Sequence, residues 1–211
     1  MMRCDDIKTV VVRGVKETEL SNFNHTVPAG ILIIPFVTSL LRNKMKSQPY
    51  LLIANISKRP NIKCLLKNAV AFGVKTVFVA GQRKFNFNPD DDKSDIPKII
   101  KPLLQKGIIN IVQFDKLNEC IEHIHSLGVK VIGVEIDESA VDVENTDACF
   151  SHGEPIAFMM GNEGTGMNEK QMALCDGFVK ISQYGGGTAS LNVSIAAGII
   201  LHRFHMWAHD G

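Results

Sequence analysis

The sequence predicts an α/β fold in which a mostly parallel β-sheet is flanked by helices. Short aliphatic or β-branched runs alternate with segments whose apolar residues recur at helical spacing. Three of those helical segments close on a glycine, which is a common helix-stop signal. The chain has 211 residues, of which 45% are hydrophobic and 21% charged, so it can bury one substantial core. Alternation of this kind is typical of parallel sheets, because helices carry the chain from one strand to the next.

The predicted elements follow one another along most of the chain. The strands are YLLIAN (50–55), TVFVAG (76–81), INIVQF (109–114), VKVIGVE (129–135), PIAFMMG (155–161) and GFVKIS (177–182). The helices are NIKCLLKNAVAFG (61–73), IPKIIKPLLQKG (96–107), DKLNECIEHIHSLG (115–128) and SLNVSIAAGIILHRFHMWA (190–208). Residues 1–45 are less regular, so we expect an N-terminal extension or arm before a main domain in residues 46–211.

The cysteine pattern and the apolar runs limit the classes of protein to which the chain can belong. The five cysteines are odd in number and never form a CxxC pair, which favours a reducing compartment and neither a disulfide framework nor a zinc site. No apolar run reaches the roughly 18–20 residues of a membrane-spanning helix. The first ten residues carry two acids and lack the apolar block of a signal peptide. We therefore expect a cytoplasmic protein, with the nucleus as the alternative, and no membrane partner.

A net charge of +1 conceals a marked separation of charge along the chain. Residues 90–211 hold nine bases and eighteen acids, whereas the segment from Leu20 to Pro89 has no acid at all. A long one-signed stretch favours a polyanion partner such as RNA, although a solvated face with acids elsewhere is the alternative. The ten bases of the acid-free segment are Arg42, Lys44, Lys46, Lys58, Arg59, Lys63, Lys67, Lys75, Arg83 and Lys84.

The loop GQRKFNFNPDDDKSD (81–95) is a candidate RNA contact within that basic segment. It carries Arg83 and Lys84 and interleaves Phe85 and Phe87. Cations beside aromatic rings suit phosphates and unpaired bases of single-stranded RNA. The alternative is a flexible surface loop with one phenylalanine in the core.

Two glycine clusters are the strongest candidates for a ligand site. The first, GNEGTG (161–166), follows a predicted strand, and the second, GGG (185–187), leads into SLNVS (190–194). Glycines at the carboxyl edge of a sheet allow positive φ and close approach of the backbone to a ligand. Neither a P-loop nor a dinucleotide fingerprint matches, so the first cluster alone leaves a ligand site and a plain turn open. Ser190 and Asn192 are also helix-capping residue types.

The two clusters together resemble the SpoU/TrmH branch of the α/β-knotted (SPOUT) RNA methyltransferases. The family carries a GNEGxG-like motif and an SLNVS-containing motif, which here are MGNEGTGM and SLNVSIAAGIIL. Its first motif matches residues 53–74, where Asn61 occupies the place of the family's asparagine in the strand-to-helix turn. The resemblance covers roughly Tyr50 to Trp207.

The resemblance implies a sheet with a C-terminal trefoil knot whose loops bind S-adenosylmethionine, and an enzyme that methylates the ribose 2′-hydroxyl of tRNA or rRNA. The implied reaction uses no metal. The closing helix is implied to form a homodimer, although its apolar face also suits an intramolecular core. His202, His205 and His209 could share one face of that helix, but no matching ligand cluster supports a metal site.

The resemblance also implies roles for individual residues. The implied cofactor-binding residues are Val134, Glu135, Gly161, Glu163, Gly164, Ile181 and Leu191. The implied catalytic residues are Asn61, Lys67, Glu163, Ser190 and Asn192. The candidate RNA-binding residues are Arg59, Lys63, Arg83 and Lys84.

Lys67 departs from the family pattern, since the family normally has an arginine six residues after the motif asparagine. A lysine lacks the planar, bidentate guanidinium, but it can act as a base when burial or nearby cations favour its neutral form. The alternative hypothesis is therefore an RNA-binding protein that keeps the cofactor pocket and has lost catalysis. A third option is methylation of a small molecule or of an antibiotic-target rRNA nucleoside.

Overall fold

The structure, a computed structural model, describes residues 47–151, 153–162, 164–185 and 190–209. Seven strands form one sheet in the order β3-β2-β1-β6-β4-β7-β5, and every registered pair of strands is parallel. The strands are β1 (Pro49–Ala54), β2 (Thr76–Ala80), β3 (Asn110–Phe114), β4 (Lys130–Val134), β5 (Val141–Asp142), β6 (Ile156–Met160) and β7 (Gly177–Lys180).

Six helices are described. They are α1 (Arg59–Ala71), α2 (Lys101–Gln105), α3 (Leu117–Ser126), α4 (Thr146–Cys149), α5 (Glu169–Met172) and α6 (Val193–His209). Within this set, α1 and α6 are long helices that pack on each other, while α4 and α5 are single turns. Helix α5 begins with a capping box in which Asn168 and Gln171 bond reciprocally.

The core lies on both faces of the sheet, because successive strand residues point to opposite sides. In β1, Leu51 and Ile53 belong to the cluster that includes α1 and α6. Leu52 and Ala54 belong to the second cluster, which includes α3. Burial on both faces explains why the central strands are continuous apolar runs rather than alternating ones.

The fold class predicted from the sequence is confirmed, and all six predicted strands are present within one or two residues of their predicted bounds. β5 was not predicted, because two residues are too short to show a periodicity. The predicted helix over 96–107 was too long: only Lys101–Gln105 is helical, with Pro102 in its first turn. The N-terminal arm lies outside the described residues, and the trefoil knot stays a prediction. Among the described helices, none has the length and hydropathy needed to cross a membrane.

Candidate functional site

A cavity of about 330 Å³ opens where β4, β6 and β7 end at the carboxyl edge of the sheet. The first glycine cluster lines it together with described residues before and after the second cluster, because β6 leads into the first cluster and β7 precedes the second, with β4 between the two strands. We call it the edge cavity. Seven of the residues implicated by the sequence line it: Val134, Glu135, Gly161, Gly164, Ile181, Ser190 and Leu191. Glu163, which the sequence implicated in both roles, lies outside the described residues.

The first glycine cluster forms a tight hairpin. The backbone N–H groups of Asn162 and Gly166 each donate to the other residue's carbonyl oxygen at 3.1 Å. The Oδ1 atom of Asn162 accepts from the backbone N–H of Gly164 at 2.9 Å. Its Nδ2 atom donates to the carbonyl oxygen of Asn55, just after β1, at 2.5 Å. Asn162 therefore closes the hairpin and ties it to the neighbouring strand end.

The position of Glu135 explains why two residues of the hairpin lack side chains. Its Oε2 atom accepts from the backbone N–H of Met167 at 2.7 Å, and its Oε1 atom accepts from that of Ile136 at 3.0 Å. A Cβ added to Gly161 would lie 2.5 Å from Oε2, and one added to Gly166 would lie 2.6 Å from it. The carboxylate thus occupies the space that side chains would need.

The expectation that these glycines permit positive φ holds only for Gly166, at +65°. Gly161 is not in the left-handed region, and neither is Gly164. Gly161 therefore accommodates Glu135 rather than an unusual backbone conformation.

Asn61 and Asn192 meet where α1 and α6 begin. The Nδ2 atom of Asn192 donates to Oδ1 of Asn61 at 3.2 Å, and Asn61 is only 6% exposed. The Oδ1 atom of Asn192 accepts from the backbone N–H of Ser194 at 2.9 Å, which caps α6. Seven residues along α1, the Nδ2 atom of Asn68 donates to the carbonyl oxygen of Ser194 at 2.5 Å. Asn192 therefore both caps α6 and contacts the first motif.

Lys67 lies on the exposed face of α1, so the fold does not supply the burial that would favour its neutral form. Six residues of α-helix place Lys67 about 120° around the axis from Asn61. Arg59, Lys63 and Lys67 are spaced by four residues and form one exposed basic stripe. The structure therefore groups Lys67 with two of the candidate RNA-binding residues rather than with Asn61 and Asn192.

The 81–95 loop is anchored on α1, which corrects the predicted role of its aromatic residues. Phe85 and Phe87 are 7% and 4% exposed and belong to the core, so neither ring is free to stack on a base. The guanidinium of Arg59 forms an ion pair of 2.5 Å with the buried carboxylate of Asp95. It also donates to the carbonyl oxygen of Lys84 at 3.2 Å. Arg59 thus holds the loop in place.

Arg83 and Lys84 remain on the surface of that loop. Arg83 forms an exposed ion pair with Asp115 at 3.2 Å. The seven bases of the acid-free segment that the structure describes are all exposed: Lys58, Arg59, Lys63, Lys67, Lys75, Arg83 and Lys84. Arg42, Lys44 and Lys46 lie outside the described residues.

Most of the apolar face of α6 packs inside its own chain, which was the alternative left open by the sequence. Val193, Ala197, Ile200, Leu201, Phe204 and Trp207 are buried. Ile195 and Met206 stay exposed, with Ile199 half-buried between them on the same side of the helix. The His205 and His209 rings stack on each other, whereas His202 contacts Phe72. No group of three potential metal ligands occurs in the described part of the chain.

Besides Asn162 in the hairpin, sequence reasoning missed three polar residues that line the edge cavity. Thr165 lies in the hairpin, Lys180 ends β7, and Gln183 follows two residues after Ile181. The sequence marked them only by position, since each lies within two residues of one that the motifs had already implicated.

Burial raises the pKa of three cysteine thiols. The pKa of Cys120 and that of Cys175 rise to about 12, and that of Cys149 rises to about 11, chiefly because burial penalises the charged thiolate. Cys64 on α1 is exposed. The three shifted thiols are unsuited to nucleophilic chemistry.

Comparison with known proteins agrees with the motifs. The family described as "SpoU rRNA Methylase family" matches residues 48–202. A 23S rRNA (guanosine-2′-O-)-methyltransferase, RlmB, of Acinetobacter baylyi is 31% identical over 143 residues. The match covers 67% of this chain and 53% of that relative, so the chain spans about half the relative's length.

Solved structures share the fold. The SpoU methyltransferase AviRb of Streptomyces viridochromogenes in complex with the cofactor AdoMet has a TM-score of 0.59 at 22% identity, covering 79% of this chain and 60% of that one. The TrmH/SpoU tRNA modifying enzyme of A. aeolicus has a TM-score of 0.60 at 20% identity, covering 84% of both chains.

Proposed function

The chain belongs to the SpoU rRNA methylase family, and we propose from this membership that it is an S-adenosylmethionine-dependent RNA ribose 2′-O-methyltransferase. The observation that carries the proposal is the edge cavity, where residues of the second and third motifs meet. The names of the relatives support it, since RlmB is a guanosine-2′-O-methyltransferase and AviRb was solved with AdoMet. The RNA is tRNA or rRNA, because relatives of both kinds match.

The residues of the edge cavity suit S-adenosylmethionine. A volume of about 330 Å³ lies within the usual range for small-ligand sites. Val134, Ile181 and Leu191 offer apolar surface to an adenine ring, while Lys180 and Gln183 offer donors to a carboxylate. When bound, the cofactor supplies an activated methyl group on a sulfonium.

The chain's own residues would orient the ribose and accept its proton. Ser190 lines the cavity, and Asn192 is two residues away at the start of α6. The bond from Asn192 to Asn61 fixes the first motif against the third. A ribose held beside these groups would present its hydroxyl in a defined direction, which is the main requirement of methyl transfer. Lys67 is the candidate base by motif position.

A basic surface on α1 and the 81–95 loop suits the RNA backbone. The stripe of Arg59, Lys63 and Lys67 adjoins the anchored loop that carries Arg83 and Lys84, because Arg59 bonds to the carbonyl oxygen of Lys84. Exposed cations in a group attract phosphates and release counterions on binding. This surface supports RNA as the partner.

The second candidate function is RNA binding without catalysis. It is favoured by one observation, the exposure of Lys67 on the basic stripe, where phosphate contact needs no proton transfer. The two functions differ in a single assay. We expect tritiated methyl groups to pass from S-adenosylmethionine to RNA and to appear in 2′-O-methyl nucleosides after digestion. Absence of label on every tRNA and rRNA tested, with RNA affinity intact, would favour the second function.

A homodimer through α6 is also part of the proposal. Ile195, Ile199 and Met206 form the remaining apolar stripe of α6. Light scattering should give twice the chain mass, and Ile195→Glu with Met206→Glu should give the monomer. Asn118→Glu places a charge on the exposed face of α3 as the matched control. A wild-type monomer at micromolar concentration would contradict the dimer.

A further inference from the structure

A second cleft, of about 480 Å³, lies where β2 and β3 end at the carboxyl edge of the sheet. We call it the β2–β3 cleft. It shares no residue with the edge cavity. Phe114 provides its partly exposed apolar surface, the buried Val79 and Phe85 line it with little exposed area, and Gln113, Asp115 and their neighbours provide polar groups. Ligands of open α/β sheets bind at this edge.

The charges of the cleft give an anion such as phosphate no net attraction, because its two carboxylates are paired with two cations. Asp115 and Glu119 both line it. Arg83 neutralises Asp115 at 3.2 Å, and Lys116 neutralises Glu119 at 2.9 Å. Exposed ion pairs of this kind are weak, so a ligand that offers equivalent hydrogen bonds can displace them. The cleft therefore suits an uncharged group that has both donors and acceptors.

A nucleobase is such a group. One of its faces is apolar enough to lie against the partly exposed Phe114, and its edges carry hydrogen-bonding atoms. Guanine matches the polar groups best, because its N1–H and N2–H donors face carboxylates well and its O6 and N7 acceptors suit Arg83. Gln113 can donate or accept.

The cleft lies too far along the sheet to hold the nucleotide that is methylated. In the strand order β3-β2-β1-β6-β4, three strand spacings separate it from the edge cavity, which is roughly 14 Å. An RNA strand that follows this edge would place one nucleotide at the edge cavity and a different one at the cleft.

The floor of the cleft is connected to the first motif. Gln82 lines the cleft and is 6% exposed. With its amide oriented to satisfy both groups, Oε1 accepts from the backbone N–H of Asn55 at 2.6 Å, and Nε2 donates to the carbonyl oxygen of Ile56 at 3.0 Å. These residues form the turn between β1 and α1, so the cleft has a fixed position relative to Asn61.

We propose that the β2–β3 cleft binds an unpaired RNA base, guanine in preference to the others, that neighbours the methylated nucleotide. This inference rests on the proposed function, because it takes the partner to be an RNA substrate. Gln113 and Asp115 would recognise the base next to the methylated nucleotide, while methyl transfer takes place at the edge cavity.

The test is a titration of the full chain with guanosine 5′-monophosphate, followed by NMR with S-adenosylhomocysteine present to fill the edge cavity. We expect saturable shifts at the Gln113 side-chain amide and the Phe114 ring, and none with ribose 5-phosphate. Gln113→Ala and Asp115→Asn should each weaken binding about fivefold, the value of roughly one lost hydrogen bond. Glu122→Gln, one turn beyond Glu119 on the same helix, is the matched control and should change nothing.

Three outcomes would overturn the inference. One is the absence of shifts at millimolar nucleotide. A second is equal shifts with ribose 5-phosphate, which would indicate a phosphate site. A third is equal affinity in Gln113→Ala, Asp115→Asn and Glu122→Gln. Calorimetry with S-adenosylmethionine tests the proposed function independently, so failure of one is distinguished from failure of the other.

Discussion

The side-chain amide of Asn192 donates to the side-chain oxygen of Asn61 at 3.2 Å, and this bond joins the first helix of the described chain to the last. The same amide caps α6 through its oxygen. One side chain therefore serves two structural purposes beside the candidate site.

Removal of that side chain should destabilise the fold. Asn192→Ala loses the cap and the bond to Asn61, and we expect a loss of about 1–2 kcal/mol in the free energy of unfolding. Asn192→Asp keeps the capping oxygen but loses the donor, so it should fall between wild type and Asn192→Ala. Urea denaturation measures both. Equal stability of Asn192→Ala and wild type would contradict the two roles.

The contact between Glu135 and Gly161 predicts that the loss of stability caused by a side chain at position 161 depends on the residue at position 135. Gly161→Ala should lower the free energy of unfolding by about 1–3 kcal/mol, because its Cβ would overlap the Glu135 carboxylate. In a Glu135→Ala background the same substitution should cost much less. Gly164→Ala is the control, since its Cβ would meet only Asn162 Oδ1, at an ordinary 3.7 Å. Additive effects at positions 135 and 161 would rule out this coupling.

The basic surface predicts a salt-dependent RNA affinity. Lys63→Glu and Lys84→Glu should each weaken binding of single-stranded RNA and lower the slope of log affinity against log salt by about 0.7 per phosphate contact. Fluorescence anisotropy at several salt concentrations measures this slope. Lys106→Glu, an exposed lysine outside the acid-free segment, should leave it unchanged. If all three variants share one slope, the basic stripe is a solvated face.

Lys67 separates the two candidate functions. If it is the base, Lys67→Ala should reduce methyl transfer at least about 100-fold while affinity for S-adenosylmethionine is retained. Lys67→Arg restores the residue of the family pattern and should retain activity. Lys63→Ala, one turn earlier on the same stripe, should affect only RNA affinity. Single-turnover kinetics with saturating RNA distinguish these effects. Similar kinetics for the two alanine variants would restrict Lys67 to phosphate contact.

The buried thiols predict a simple reactivity pattern. A pKa raised to about 11 or 12 leaves Cys149, Cys120 and Cys175 as neutral thiols at pH 8, so the nucleophilic thiolate is scarce. In a Cys4→Ser background, Ellman's reagent should label Cys64 rapidly and the others only after unfolding. Cys64→Ser should abolish the rapid phase. Rapid labelling of two or more thiols in the folded protein would contradict this pattern.

The sequence predicted the strands because burial on both faces leaves a visible apolar run. It could not predict β5, whose two residues form a strand only because Val141 and Asp142 pair with Val179 and Lys180. It located the glycine clusters, yet the reason for Gly161 is a carboxylate 26 positions earlier, which only the tertiary structure brings near. It also could not orient Phe85 and Phe87, since aromatic residues among cations give the same pattern whether the rings face the core or the solvent.

The anchoring of the 81–95 loop has a thermodynamic consequence. Fixing a residue's backbone costs about 1–2 kcal/mol of conformational free energy. In this loop the backbone is already ordered on folding, because Phe85, Phe87 and the ion pair of Arg59 with Asp95 hold it. Little apolar surface remains there for a partner to bury, so association at this loop carries only a small change in heat capacity. Its rate is then set by electrostatic attraction during diffusion rather than by a slow rearrangement of the protein.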